Sequence, residues 1–157
     1  MNASYKKPAI QIIVPCYNEA ANIEKFYKEA SEACKNFKAS YIFVDDGSTD
    51  KTLATIAKLA EKSSDVKGIS LSRHFGKEAG IFAGFRDFHG DCCVVIDCDL
   101  QHPVSVIPQM VDAWSQGYDV VEGYKKERPK EKFLHKDFTK QFYKIIRLVL
   151  LKIKPRT

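Results

Sequence analysis

The chain has 157 residues, 45% hydrophobic and 29% charged, with a mean hydropathy of −0.29. That is ordinary for a globular protein, enough for one domain with a real core and not comfortably two. The net charge of +5 is uneven: residues 124–157 carry net +9 and residues 1–123 net −4, which points to an anionic partner for the tail.

Ile10-Gln11-Ile12-Ile13-Val14, ended by Pro15, reads as a buried strand. Asn18 is placed to cap a helix running to about Asn36, with Ile23, Phe26, Tyr27, Ala30 and Cys34 on one face. Tyr41 to Val44 is a second strand. A helix from about Asp50 to Glu61 would turn Leu53, Ile56, Ala57 and Ala60 inward. Lys67 to Leu71 is a third strand. Lys77 to Phe88 reads as a helix whose Ala79, Gly80, Ala83 and Gly84 allow close packing. Cys92 to Ile96 is a fourth strand, Val104 to Trp114 a helix opened by Pro103, and Tyr118 to Val121 a fifth strand.

Strands alternating with helices at this spacing imply βαβ units and a largely parallel α/β sheet. Right-handed crossovers bring all strand C-terminal ends to one edge. Pro15 to Asn18, Asp45 to Ser48 and Asp97 to Asp99 fall on that edge.

From Tyr124 the character changes. Residues 124–132 form a charged, Pro-containing loop. In residues 133–157, Leu134, Phe138, Phe142, Val149 and Ile153 recur at helical spacing with lysines and Arg147 between them, a basic amphipathic helix. Such a helix either packs on a core or lies on anionic lipid. It lacks the interleaved exposed aromatics that stack on bases, so no nucleic-acid partner is expected. Five cysteines without CxxC spacing give neither a disulfide framework nor a zinc site, and read as reduced cytoplasmic thiols. The N-terminus has no signal-peptide pattern, and no stretch reaches the ~18 apolar residues of a membrane span.

Two acidic clusters at strand ends carry the chemistry. Asp97-Cys98-Asp99, with Gln101 two residues on, offers oxygen ligands suited to Mg²⁺ or Mn²⁺ shared with phosphates. Asp45-Asp46-Gly47-Ser48-Thr49-Asp50 contains ordinary cap and turn residues, but two adjacent Asp exceed what a cap needs. A carboxylate there can accept a hydrogen bond from a nucleobase imide N–H.

Four blocks in order resemble family 2 inverting glycosyltransferases. They are Val14-Pro15-Cys16-Tyr17-Asn18-Glu19, Val44-Asp45-Asp46-Gly47-Ser48-Thr49-Asp50, Leu71-Ser72-Arg73-His74-Phe75-Gly76-Lys77-Glu78-Ala79 and Asp97-Cys98-Asp99-Leu100-Gln101-His102-Pro103. The third block is similar to that of polyprenyl-phosphate hexosyltransferases, such as dolichol-phosphate mannose synthases and bactoprenol glucosyltransferases.

The resemblance implies a GT-A (Rossmann-like) fold over residues 1–123, a nucleotide-sugar donor, with UDP-glucose favoured, and a divalent metal. By motif position, Pro15, Tyr17, Glu19, Asp45, Asp46, Arg73 and Lys77 would bind the nucleotide. Asp97, Asp99 and Gln101 would hold the metal. Lys125 and Arg128 would close over the phosphates and act in catalysis with Asp97 and Asp99. Lys125 stands where Arg is usual, His74 where Asn is usual, and His102-Pro103 varies the common Asp-Pro. His74 reads as a surface or packing histidine.

The implied acceptor is a polyprenyl phosphate, already anionic near pH 7, with residues 133–154 on the inner face of the cell membrane. The implied location is cytoplasmic and peripheral. Members of this subgroup are longer and continue with acceptor-side elements, so the chain is expected to be the donor-binding part. That leaves room for a homo-oligomer. Two other readings stay open: a nucleotide-sugar-binding fragment without turnover, and a transferase acting on a saccharide hydroxyl.

Overall fold

The computed structural model describes residues 7–123. Four strands, β1 (Ala9–Cys16), β2 (Lys38–Asp45), β3 (Val66–Ser70) and β4 (Cys92–Val95), alternate with four helices. The helices are α1 (Ile23–Ala33), α2 (Thr52–Lys62), α3 (Lys77–Arg86) and α4 (Val106–Ser115). The sheet order is β3-β2-β1-β4 and every pairing is parallel.

Period-2 alternation divides the strand residues between two cores. Ile10, Ile12, Val14, Tyr41 and Phe43 pack with Ile23, Phe26, Ile56, Ile107 and Val111 from α1, α2 and α4. Ile13, Ile42 and Val44 face the other way and pack against Ala83 and Phe85 of α3. Helices on both faces explain why β1 is apolar almost throughout. Gly84 lets α3 lie close to β1: a Cβ there would sit 2.5 Å from Ile13 Cγ2. The small-residue stripe predicted for this helix thus does what its spacing implied.

The chain departs from its sequence reading in four places. Residues 118–121 are not a strand; Tyr118 is 62% exposed, and no neighbour in the described sheet offers the segment a ladder. The α2 face is rotated from the expected one. Thr52, Ile56 and Leu59 are buried, whereas Leu53 is 45% exposed and Ala57 is also exposed. The buried Thr52 hydroxyl accepts the Glu19 N–H at 2.8 Å and so sets the phase of the helix.

Asn18 does not cap α1, which begins only at Ile23. It adopts a positive φ of 55°, and its side-chain oxygen accepts the Thr49 N–H at 2.9 Å, tying the β1 turn to the β2 turn. α4 begins at Val106 rather than Val104, so Pro103 lies further ahead of it than expected. The Pro103 carbonyl accepts the Val106 N–H at 3.1 Å, an i→i+3 bond leading into the helix.

Among the described residues, no helix is long and apolar enough to cross a membrane. The loop expected at 124–132 and the helix expected at 133–157, with Lys125 and Arg128, lie outside the described residues.

Candidate active site

The strand order reverses between β1 and β4, since β2 and β3 extend to one side of β1 and β4 lies on the other. In open parallel sheets such a switch point opens a crevice at the strand C-terminal ends. Tyr17 follows β1 and Asp97 follows β4, so they stand on its two lips. Beneath them Cys16 Sγ lies 3.7 Å from Cys98 Sγ, both buried. The turn therefore sends Cys98 into the core and leaves Asp97 and Asp99 half-buried on either side of it. The hydrogen bond to Cys98 and burial both push the Cys16 thiol up.

Asp97 is paired. Lys77, the first residue of α3, places its Nζ 2.6 Å from Asp97 Oδ2. Asp99 Oδ1 accepts the Gln101 backbone N–H at 3.0 Å, which shapes the turn, and Gln101 itself is exposed. Among the described residues, no three His, Cys, Asp or Glu side chains form a complete metal cage. Two half-buried carboxylates nonetheless suit a hard cation that takes its remaining ligands from phosphates and water. The Lys77 ammonium already sits where such a carboxylate would face a cation.

Asp46 anchors the block at 73–76. It is 2% exposed; Oδ1 accepts the Phe75 N–H at 2.8 Å and Oδ2 the Gly76 N–H at 2.9 Å. Gly47 makes this approach possible. Its φ is +66°, and a Cβ would fall 2.3 Å from the Arg73 carbonyl carbon.

His74 joins the same cluster, with Nδ1 2.8 Å from Asp46 Oδ2. Its ring stacks on Tyr17, centroids 4.0 Å apart at 28°. His74 is an exposed histidine packed on Tyr17, as read, and it also lies between two residues expected at the nucleoside. The only sequence signal was its place inside the third motif block.

The other expected site residues are distributed around this centre. Pro15 is buried at the end of β1 under Gly80 of α3. Glu19 accepts a 2.6 Å bond from Asn22 Nδ2 just before α1. Asp45 is buried and accepts the Ser48 N–H at 3.3 Å and the Ser70 hydroxyl at 3.4 Å. Arg73 lies over the Phe75 ring at 4.5 Å. The structure thus gathers Tyr17, Asp46 and His74 in one group and Lys77 and Asp97 in another, while Glu19 and Asp45 brace the loops.

The family model for "Glycosyl transferase family 2" matches residues 11–153. The chain belongs to this family. An uncharacterized glycosyltransferase of Synechocystis is 37% identical over 151 residues, covering 94% of this chain and 48% of the relative. A prophage bactoprenol glucosyl transferase homolog of Escherichia coli is 36% identical over 138 residues, covering 87% and 45%. The chain spans about half the length of these curated relatives. Among solved structures, a Pyrobaculum calidifontis mannosyltransferase in complex with GDP-Man and Mn²⁺ matches with a TM-score of 0.55 and 28% identity. That match covers 60% of this chain and 28% of the mannosyltransferase. The family and these neighbours agree with the GT-A, Rossmann-like sheet expected from the motifs.

Proposed function

We propose that this chain is the donor-binding part of a glycosyltransferase that moves a hexose from a nucleotide-diphosphate sugar to a polyprenyl phosphate, with inversion. The observation that carries the reading is the convergence of Tyr17, Asp46, Lys77, Asp97 and Asp99 on one sheet edge flanking the β1/β4 switch point. UDP-glucose is the favoured donor, supported by relatives named bactoprenol glucosyl transferase.

Tyr17 would support the base and Asp46 would accept its imide N–H. Asp97, Asp99 and Gln101 would hold Mg²⁺ or Mn²⁺, an expectation supported by the Mn²⁺ in the mannosyltransferase complex. When bound, the metal neutralises charge on the diphosphate leaving group. Lys77 would turn from Asp97 toward the phosphates, and Lys125 and Arg128 would close over them. The acceptor phosphate is an anion near pH 7 and needs no general base. Rate enhancement would then rest on in-line positioning and charge stabilisation. Residues 133–154 would dock on anionic lipid at the inner face of the cell membrane, beside the acceptor.

The test is transfer of labelled glucose from UDP-glucose to a polyprenyl phosphate in anionic vesicles, by the 157-residue chain and by Asp99→Asn. Metal-dependent glycolipid formation that the substitution abolishes supports the reading. Nucleotide binding without turnover would make the chain a binding unit only. Product on a saccharide hydroxyl alone would move the acceptor assignment.

A further inference from the structure

We infer that His74 is a built-in competitor for the donor's nucleobase, holding the place on Tyr17 and Asp46 that the base must take. The inference rests on the nucleoside site proposed above and adds a residue that sets its affinity.

A nucleobase with an imide is a flat ring carrying an N–H donor. Such a ring would stack on an aromatic face and donate to a carboxylate. The His74 imidazole already fills both places: it lies 4.0 Å from the Tyr17 ring at 28°, and Nδ1 is 2.8 Å from Asp46 Oδ2. Two flat rings cannot occupy one face of Tyr17 and the space beside Asp46 Oδ2 together.

The surrounding structure allows the ring to leave while the site stays built. The His74 side chain is 53% exposed, and residues 72–75 are all exposed. The loop is held by the backbone bonds from Phe75 and Gly76 to Asp46 and by the seat at Gly47. None of these passes through the His74 side chain, so a rotamer change frees the ring. Asp46 keeps both amide bonds and stays aimed, while the space beside Oδ2 filled by Nδ1 opens. Tyr17, 42% exposed with His74 in place, offers its face to the incoming ring.

A site whose competent state is only partly populated binds with proportionally lower affinity. Removing the competing ring should therefore tighten nucleotide binding. A stacked contact of this kind is worth ~0.5–1.5 kcal/mol, so a gain of about two- to twelvefold is expected.

The experiment is calorimetric titration of UDP and GDP, with Mn²⁺, into the 157-residue chain and its His74→Ala variant, each checked for native fold by circular dichroism. Pyrophosphate with Mn²⁺, which has no base, is titrated into both. The inference predicts tighter nucleotide binding by His74→Ala and unchanged pyrophosphate binding. His74→Asn keeps a donor but cannot stack, and should also bind nucleotide more tightly than the wild type. Nucleotide binding that is unchanged or weaker in both variants overturns the inference and leaves the donor site standing. An equal gain for pyrophosphate overturns it as well, because the effect would not concern the base. No nucleotide binding by any folded variant overturns the donor-site reading and this inference together.

Discussion

Lys77 Nζ lies 2.6 Å from Asp97 Oδ2, so the first carboxylate of the Asp-Cys-Asp turn already carries a cation supplied by α3. A divalent metal on Asp97 has to displace that ammonium. Partly exposed pairs of this kind are worth ~0.2–1 kcal/mol. Lys77→Met should therefore tighten Mn²⁺ binding in the absence of nucleotide by up to about fivefold. Electron paramagnetic resonance of free Mn²⁺ measures this directly. Weaker Mn²⁺ binding in the variant would show that Lys77 orients Asp97 instead of competing for it.

Gly47 carries the geometry of the neighbouring block. With φ at +66° and the Arg73 carbonyl carbon 2.3 Å from any Cβ, Gly47→Ala cannot keep the 73–76 loop in place. The expected cost is about 2 kcal/mol or more, from backbone strain plus overpacking. Urea unfolding should show a lowered midpoint. Nucleotide binding should fall further than stability does, because the same loop is seated on Asp46.

Much of this architecture was legible in the sequence. The alternation of strands and helices predicted a parallel sheet, and the acidic clusters fell at its C-terminal edge because strand direction is shared. Gly80 and Gly84 announced the close approach of α3. What stayed hidden depended on contacts between segments distant in the chain. Thr52 binds the Glu19 backbone across 33 positions and sets the phase of α2, which periodicity alone put one residue off. Asn18 looked like a cap because its type suits one, but its partner is Thr49 on the next loop. Tyr118 to Val121 has strand-like residues but no described strand beside it to pair with. His74 could be placed only once Asp46 and Tyr17 were seen together.

Asp50 joins the two loops around the site, and its contribution depends on pH. Its carboxylate accepts the Thr52 hydroxyl and backbone N–H and the Ala20 N–H, which hold its pKa below the ordinary value. A depressed folded pKa stabilises the protein above the unfolded value of about 4. That stability is lost as pH falls through the lower folded value. Wild type should therefore exceed Asp50→Ala in urea midpoint at pH 6, with the gap closing toward pH 3. A gap that widens in acid would contradict the assigned sign.

Three of the thiols should be inert. Cys16 is pushed up by its hydrogen bond to Cys98 and by burial, Cys34 by burial, and Cys93 to about 12, chiefly by burial. Thiolate is the reactive form, so these three should resist iodoacetamide at pH 8 and react after unfolding in urea. Mass spectrometry of alkylated peptides distinguishes the two states. Rapid labelling of Cys16 in the native protein would mean that the floor of the crevice opens to solvent.

Calorimetry of the 157-residue chain with UDP and with GDP, each with and without Mn²⁺, tests the central claim most directly. A metal-dependent nucleotide-diphosphate site predicts saturable binding of one nucleotide that needs Mn²⁺ and is lost in Asp99→Asn. Binding of neither nucleotide by the folded chain, or binding that ignores both Mn²⁺ and Asp99, would contradict the account.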